Sequence, residues 1–303
     1  MVSTKHESAQ KNMPELPEVE TVRRGLEPTL KGQTLVRVEA RRPDLRFAFP
    51  PRFVERLEGA TVTSLDRRAK YLIAYLSTEE ALIMHLGMSG RFSVVDERGV
   101  LAFDDYAYDT GADPKHDHVV LHVGTGSKVI YNDPRRFGFM DIVSTASLEH
   151  SKHFATMGPE PLGNRFSADH LAKVLANKKT PIKSALLDQT NVAGLGNIYV
   201  CEALFRAHIS PMRLSNTLTA VEIGALTEAI RAVLIEAIAA GGSTLRDFAA
   251  ADGSLGGFQE RFDVYGREGL PCPRSPAVGI AHEPVQRTVQ SGRSSFFCPT
   301  CQT

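Results

Sequence analysis

The chain has 303 residues, 42% of them hydrophobic, which is enough to build the cores of two domains. Lysine plus arginine and aspartate plus glutamate number 35 each, so the chain is not a uniformly basic nucleic-acid-binding protein. The leader at residues 1–13 lacks the apolar segment of a signal peptide, and no apolar run is long enough to span a membrane. We therefore expect a globular protein of the cytoplasm whose leader is absent from the mature form.

The first ordered element is predicted to be a helix. The segment PEVETVRRGLEPTL, which begins at Pro17, repeats its apolar residues at helical spacing. Pro17 suits the first helical turn, and Glu18 is favourable near the positive end of the helix. We expect Pro14 to lie just ahead of the helix N-terminus.

Short β-rich runs follow the glycine at position 32. Gly, Asp, Pro and Ser clusters separate these runs, a pattern that is typical of a β-sandwich or barrel. The runs cover residues 34–40, 60–65, 70–76, 81–86, 91–95, 118–123, 128–131 and 137–143.

The sequence pattern becomes helical beyond about Ser147. Ser167 is predicted to cap one helix, and the capping box from Thr219 to Glu222 opens a long helix that ends at Gly241. The segment from residue 262 is short, rich in Pro and Gly, and holds three of the four cysteines, which indicates a small metal-stapled module. The predicted units are a β-rich domain, a helical domain and this module, covering residues 14–146, 147–261 and 262–303.

Several motifs resemble, in order along almost the whole chain, those of the formamidopyrimidine-DNA glycosylase family. They are PELPEVE from Pro14, RRAKYL, HLGMSG, NDPRRFG, LLDQTNVAGLGNIY and CPTC. The resemblance implies an α+β fold, with an N-terminal helix and β-sandwich followed by a helical domain that carries a helix-two-turn-helix and a β-hairpin zinc finger. It also implies a monomeric, nucleoid-associated enzyme of base excision repair, which removes oxidised purines from double-stranded DNA.

The resemblance assigns four catalytic residues. Pro14 matches the N-terminal proline whose amine forms a Schiff base with the damaged nucleotide, and Glu15 matches the acid/base beside it. Lys70 matches the proton donor for β-elimination, and Arg293 matches an arginine at the finger's hairpin tip that assists δ-elimination. A secondary amine can attack a sugar carbon and an amide cannot, so this chemistry requires a chain that begins at Pro14.

Further residues match DNA contacts of the family. Met88, Arg135 and Phe137 would fill the gap that a flipped nucleotide leaves in the base stack. The remaining contacts are expected from His116, from Lys179, Lys183 and Asn197 at phosphates, and from Ser243 near the extruded base. His116 and His118 alternate along a strand, but a His-x-His pair with no third ligand nearby is a weak metal motif.

The C-terminal motif departs from the family pattern of two Cys-x-x-Cys pairs. Cys298 and Cys301 form one pair, whereas Cys272 is followed by Ser275, and serine is a poor zinc ligand. We expect His282 to complete a Cys3His site for one structural Zn²⁺. A vacant or water-filled fourth position is the alternative.

Two other functions compete with the oxidised-purine glycosylase. The endonuclease VIII type prefers oxidised pyrimidines, but that branch typically begins PEGPE, whereas this chain reads PELPE and keeps Phe137. A non-catalytic protein that binds DNA lesions would result if the leader stayed attached and kept the Pro14 nitrogen as an amide.

Overall fold

A computed structural model describes residues 13–96, 99–100, 113–243, 256–275 and 281–303. Residues 1–12 of the expected leader lie outside the described residues. Residues 244–255, which follow the Ser243 expected near the extruded base, also lie outside them.

The N-terminal part is a helix followed by two antiparallel sheets that enclose a core. Helix α1 spans Leu16–Leu30. The strands of the five-stranded sheet follow the order β1-β7-β8-β5-β6, and those of the four-stranded sheet the order β2-β3-β4-β9. The strands are β1 Leu35–Ala40, β2 Val62–Arg68, β3 Tyr71–Leu76, β4 Glu80–His85, β5 Arg91–Asp96, β6 Gly99–Val100, β7 Asp117–Val123, β8 Lys128–Asn132 and β9 Phe139–Ser144. Each of the eight predicted runs is a strand, and the arrangement is a sandwich.

The sequence analysis missed two short elements of the sandwich. Helix α2 spans only Phe53–Leu57 and follows two prolines, so it offers too few turns for a helical period to be visible. Strand β6 has two residues and lies at the sheet edge, paired with β5 alone among the described strands.

Helices form the second part of the chain. They are α3 Ala168–Leu175, α4 Ile182–Leu187, α5 Asn197–Arg206 and α6 Ala220–Ala239. The predicted caps are present, because the Ser167 side chain accepts the His170 N–H and Thr219 forms a capping box with Glu222. No helix among the described residues is long and apolar enough to cross a membrane.

Helix α1 belongs to both parts of the molecule. Its first residue, Leu16, packs into the core of the helical part, whereas Val19, Val22 and Leu26 pack into the core between the sheets. The start of α1 therefore lies at the junction of the two parts, with Pro14 just before it.

A hairpin of β10 Gln286–Gln290 and β11 Arg293–Phe297 closes the chain. Its turn is formed by Ser291 and Gly292, both with positive φ, as a tight two-residue hairpin turn requires. Phe296 and Cys298 belong to the same hydrophobic cluster as the helices. The C-terminal segment therefore packs against the helical core, and its assignment as a separate unit at residues 262–303 stays a prediction.

We predict that Thr219→Ala lowers the free energy of unfolding by about 1 kcal/mol, because the capping box at the start of α6 is lost. The matched control is Thr125→Ala, which changes an exposed threonine in the turn between β7 and β8 and should have almost no effect. Urea denaturation of both variants measures the difference. Equal stability of the two variants would contradict the capping role.

Candidate active site

A cleft of ≈ 620 Å³ opens where the two parts of the chain meet. Seven segments contribute to its lining: the start of α1, the β2–β3 turn, the end of β4 with the loop after it, residues 153–157, residues 187–190, the start of α5 and the β10–β11 turn. The residues that they provide include Met13, Glu15, Lys70, Met88, Asn197 and Arg293. Pro14 is buried between Met13 and Glu15. The four residues assigned to catalysis are thus close together in space, although 279 positions separate Pro14 from Arg293 (293 − 14).

Glu15 is buried against the N-terminus of α5. Its Oε1 accepts the backbone N–H of Ile198 at 3.0 Å, and its Oε2 is buried without a partner among the described residues. Burial raises the pKa of Glu15 to about 7, although the nearby Lys70 ammonium opposes the shift. The carboxyl group can therefore both donate and accept a proton near neutral pH.

Gly196 leaves the space that the Glu15 carboxylate occupies. A Cβ atom at this position would lie 2.2 Å from the Glu15 carboxyl carbon, so any larger residue would displace the carboxylate. The sequence analysis quoted this glycine within AGLGN but gave it no role. Only the folded chain brings it against a residue 181 positions earlier (196 − 15).

Glu18 joins three segments at the start of α1. Its Oε2 accepts the backbone N–H of Glu15 at 2.9 Å, and its Oε1 accepts the Tyr199 hydroxyl. The same Oε1 also accepts the backbone N–H and the hydroxyl of Ser243, each at 2.8 Å. Ser243 is fully buried in this arrangement, so its side chain serves Glu18, and its contact with DNA stays a prediction.

Lys70 is delivered into the cleft by a two-residue turn. Arg68 and Tyr71 pair across β2 and β3, which leaves Ala69 and Lys70 in the turn. Ala69 has a φ of 53°, a strained value for a residue with a Cβ atom. The Lys70 side chain is buried, and this burial lowers its pKa, while Glu15 acts in the opposite direction.

Glu160 holds this turn from the segment that leads into the helical part. Its carboxylate accepts the Ala69 N–H and pairs with Arg67 at 2.8 Å and with Arg68 at 3.1 Å. A left-handed alanine persists when its surroundings fix it, and Glu160 provides that constraint. The sequence analysis missed Glu160, because no local pattern connects it to a turn 91 residues earlier.

Lys183 and Asn197 meet beneath the finger hairpin. The Lys183 Nζ donates to the Ser294 carbonyl at 2.6 Å and to the Ser295 hydroxyl at 2.7 Å. The Asn197 Nδ2 donates to the same Ser294 carbonyl at 3.0 Å. Both side chains therefore fix the residue that follows Arg293, and their direct contact with phosphate stays a prediction. Lys183 is only 1% exposed, and no feature of the sequence indicates this burial.

The other residues assigned to DNA lie at or near the surface. Phe137 is 42% exposed, and the Arg135 guanidinium lies 4.7 Å from the centre of its ring. These two residues line a second cleft together with Met88, next to the first. Lys179 is exposed and His116 is half-buried, and both lie outside the lining of the main cleft.

His85 is a further cleft residue that the sequence analysis did not single out. Its Nδ1 accepts the Gly87 N–H at 3.0 Å, and its ring stacks on Phe139. Burial and the charge of Lys70 lower its pKa to about 4. His85 is therefore neutral at physiological pH, which leaves Nδ1 free to accept.

Four side chains at the C-terminus form a set that could hold a metal ion. The ligand atoms of Cys272, His282, Cys298 and Cys301 all lie within 4.8 Å of one another. The Sγ atoms of Cys272 and Cys301 are 3.9 Å apart, close to the separation of about 3.8 Å between two sulfurs bound tetrahedrally to one zinc ion. The hydroxyl of Ser275, at the position of the missing cysteine, accepts the His282 N–H at 3.1 Å. The donor set and its spacing fit a tetrahedral ion.

Comparison with known proteins identifies the family of the chain. The profile of the formamidopyrimidine-DNA glycosylase N-terminal domain matches residues 13–140, and that of the H2TH domain of the same enzyme matches residues 157–249. The chain belongs to the formamidopyrimidine-DNA glycosylase family. Relatives with that name from Caulobacter vibrioides and Ruegeria pomeroyi are 56% and 55% identical over 290 residues, which is 96% of this chain and 100% of each relative.

Solved structures show the same fold. The MutM (Fpg) protein of Thermus thermophilus is 40% identical and superposes with a TM-score of 0.80, covering 95% of this chain and 98% of that one. A point mutant of the Lactococcus lactis Fpg, in complex with DNA that contains Fapy-dG, is 35% identical, with a TM-score of 0.81 and coverage of 96% and 100%. The Lactococcus lactis Fpg has also been solved in complex with DNA that contains an abasic site.

We predict that Gly196→Ala strongly reduces catalysis while the protein stays folded, because the new methyl group would displace the Glu15 carboxylate. The matched control is Gly224→Ala on α6, where a Cβ atom meets nothing within 4 Å. Single-turnover kinetics and thermal melting of both variants make the comparison. A Gly196→Ala enzyme with the activity of the control would show that the position of Glu15 does not matter.

Proposed function

We propose that this chain excises oxidised purines from double-stranded DNA and then cleaves the backbone at the abasic site. The observation that carries the proposal is the convergence of Glu15, Lys70 and Arg293 on one cleft, with Pro14 next to Glu15 in the chain. An enzyme of this family needs a nucleophile, an acid/base and cations for phosphate at one place. Pro14, Glu15 and the pair Lys70 and Arg293 would fill these roles.

In the proposed reaction the free amine of Pro14 attacks C1′ of the damaged nucleotide. The bond from C1′ to the base breaks and the base leaves with a proton. The C1′–O4′ bond then opens, O4′ takes up a proton, and an iminium joins Pro14 to C1′ of the ring-opened sugar. Glu15, with its pKa of about 7, is suited to move the protons of this step. Lys70 and Arg293 then serve β- and δ-elimination, in which the 3′ and 5′ phosphates leave in turn.

The mature chain is proposed to begin at Pro14. The Pro14 nitrogen in the full chain is an amide, whose lone pair is delocalised into the carbonyl and cannot form an iminium. An unperturbed α-amine has a pKa of about 8, so a terminal proline offers a neutral fraction near pH 7. The family profile begins at residue 13, which supports Met13 as the start. The full chain with its leader would instead bind lesions without catalysis.

We expect protein that starts at Pro14 to become covalently attached to lesion DNA when borohydride reduces the iminium. The full chain should bind the same DNA without forming the cross-link. Gel electrophoresis after reduction measures both. Equal cross-linking by the two forms would exclude Pro14 as the nucleophile and make Lys70 the first alternative.

We propose that a local surface around Lys179 contacts the DNA backbone. We also propose that the protein acts at the nucleoid in the cytoplasm. Cationic contacts with phosphate release counterions, so they make binding depend on salt even in a protein of zero net charge. Lys179 is exposed and therefore available for such a contact.

Lys179→Ala should weaken binding to lesion DNA and undamaged DNA alike and reduce the slope of log affinity against log salt by about 1. Lys128→Ala is the control, because Lys128 lies at the end of β8 away from the loop that carries Arg135 and Phe137. Fluorescence anisotropy at several salt concentrations gives both slopes. Loss of lesion discrimination alone would contradict the phosphate contact.

The metal is proposed to be one zinc ion held by Cys272, His282, Cys298 and Cys301. Zinc would supply a structural crosslink at the base of the hairpin that carries Arg293. Cys272 and Cys298 are buried in the helical core, so the crosslink would also fix the hairpin to the helices. The hydroxyl of Ser275 supports the loop of His282 and leaves ligation to the imidazole.

His282→Ala should release zinc at lower chelator concentrations and weaken DNA binding, since one of four ligands is removed. Ser275→Ala is the control, because it removes a hydrogen bond to the backbone of His282 but none of the four proposed ligands. A chromophoric chelator titration measures metal retention in the whole protein. If His282→Ala held zinc as firmly as the unmodified protein, another group would be the fourth ligand.

A further inference from the structure

Two loops at the mouth of the cleft are in direct backbone contact. The first comprises residues 86–90 and carries Met88, and the second comprises residues 133–138 and carries Arg135 and Phe137. A Cβ atom at Gly87 would lie 2.3 Å from the carbonyl carbon of Phe137, so this contact exists only because residue 87 is glycine. We call these segments the wedge loops.

Asp133 lies between the wedge loops and is fully buried. Its Oδ1 accepts the Ser89 hydroxyl at 2.5 Å, and its Oδ2 accepts the Gly138 N–H at 2.9 Å. The Tyr131 hydroxyl donates to the same Oδ2 at 3.3 Å. No cation among the described residues pairs with this carboxylate, so hydroxyl and amide donors stabilise it.

Ser89 completes the connection, because its hydroxyl oxygen also accepts the backbone N–H of Arg135 at 3.2 Å. Met88 and Arg135 are therefore one covalent or hydrogen-bonded step from this pair, and Phe137 is two steps from it. Met88 precedes Ser89, Arg135 donates to Ser89, and Phe137 precedes Gly138, which donates to Asp133.

We propose that Asp133 and Ser89 are positioning residues that make Met88, Arg135 and Phe137 enter the duplex as one preorganised unit. The proposal rests on the proposed function, since it assumes that these three side chains fill the gap. Preorganisation matters because side chains that are ordered in the free protein lose less conformational entropy when they bind. The sequence analysis quoted both residues within their motifs and assigned neither of them.

The decisive variant is Ser89→Ala, tested in protein that begins at Pro14. It removes the hydroxyl that joins the loops and leaves Met88, Arg135 and Phe137 in place. We expect excision from a lesion duplex to fall about tenfold, in the range expected when a buried hydrogen bond is lost. Binding to the abasic product should change less than about twofold, because less unstacking is needed where the base is already gone.

A spectroscopic signal tests insertion itself. 2-Aminopurine placed beside the lesion brightens when its stacking is broken, and this rise should be smaller or slower with Ser89→Ala. Ser93→Ala on β5 is the matched control, because the Ser93 hydroxyl makes no hydrogen bond to the described residues. Ser89→Thr keeps the hydroxyl and should retain the signal. Thermal melting of each variant separates insertion from stability.

A double-mutant cycle separates the coupling from the wedge assignment. If the loops act as a unit, Met88→Ala and Phe137→Ala should each lose less excision in the Ser89→Ala background than alone. If Met88→Ala and Phe137→Ala have no effect by themselves, the wedge assignment in the proposed function is wrong. If they impair excision while Ser89→Ala does not, or if all effects add, the coupling is wrong and the wedge assignment stands. Equal losses of excision and of product binding in Ser89→Ala would reduce Ser89 to a structural role and overturn the coupling.

Discussion

The site depends on the burial of two carboxylates, those of Glu15 and Glu18, at the start of one helix. Glu15 accepts a backbone N–H at the start of α5, and Glu18 accepts the Tyr199 hydroxyl and the N–H and hydroxyl of Ser243. A buried carboxylate that loses its donors is costly, so the sandwich and the helical part are held in one relative position. Pro14, two residues before the first residue of this helix, is therefore held in a fixed position beside the cleft.

The same burial sets the chemistry. Glu15 and Lys70 are both removed from water, which disfavours the charged form of each, and their mutual attraction opposes this only in part. Because the pKa of the Glu15 carboxyl is raised and that of the Lys70 amine is lowered, proton transfer between two such groups costs less free energy than it would in water. Glu160 and Gly196 position these two groups. One fixes the turn that carries Lys70, and the other leaves space for the Glu15 carboxylate.

The sequence predicted the elements well because their signals are local. Period-two runs became strands, and the caps at Ser167 and Thr219 began α3 and α6. Resemblance selected Glu15, Lys70 and Arg293, which the structure brings to one cleft, but it could not indicate which polar side chains are buried. Lys183 was expected to contact phosphate, but its burial beneath the hairpin could not be predicted, since burial depends on neighbours more than 100 residues away. Helix α2 was missed because one short turn after two prolines shows no period.

His282, as the proposed fourth zinc ligand, would also change the charge of the metal cluster. Four thiolates around a zinc ion would leave the cluster with two negative charges, whereas three thiolates and a neutral imidazole leave one unit less. The cluster lies at the base of the hairpin whose tip carries Arg293 toward the cleft, where a polyanionic backbone would have to approach. Exchange of one thiolate for an imidazole would therefore lower the repulsion between the finger and its ligand. It would also leave one sulfur fewer open to oxidation.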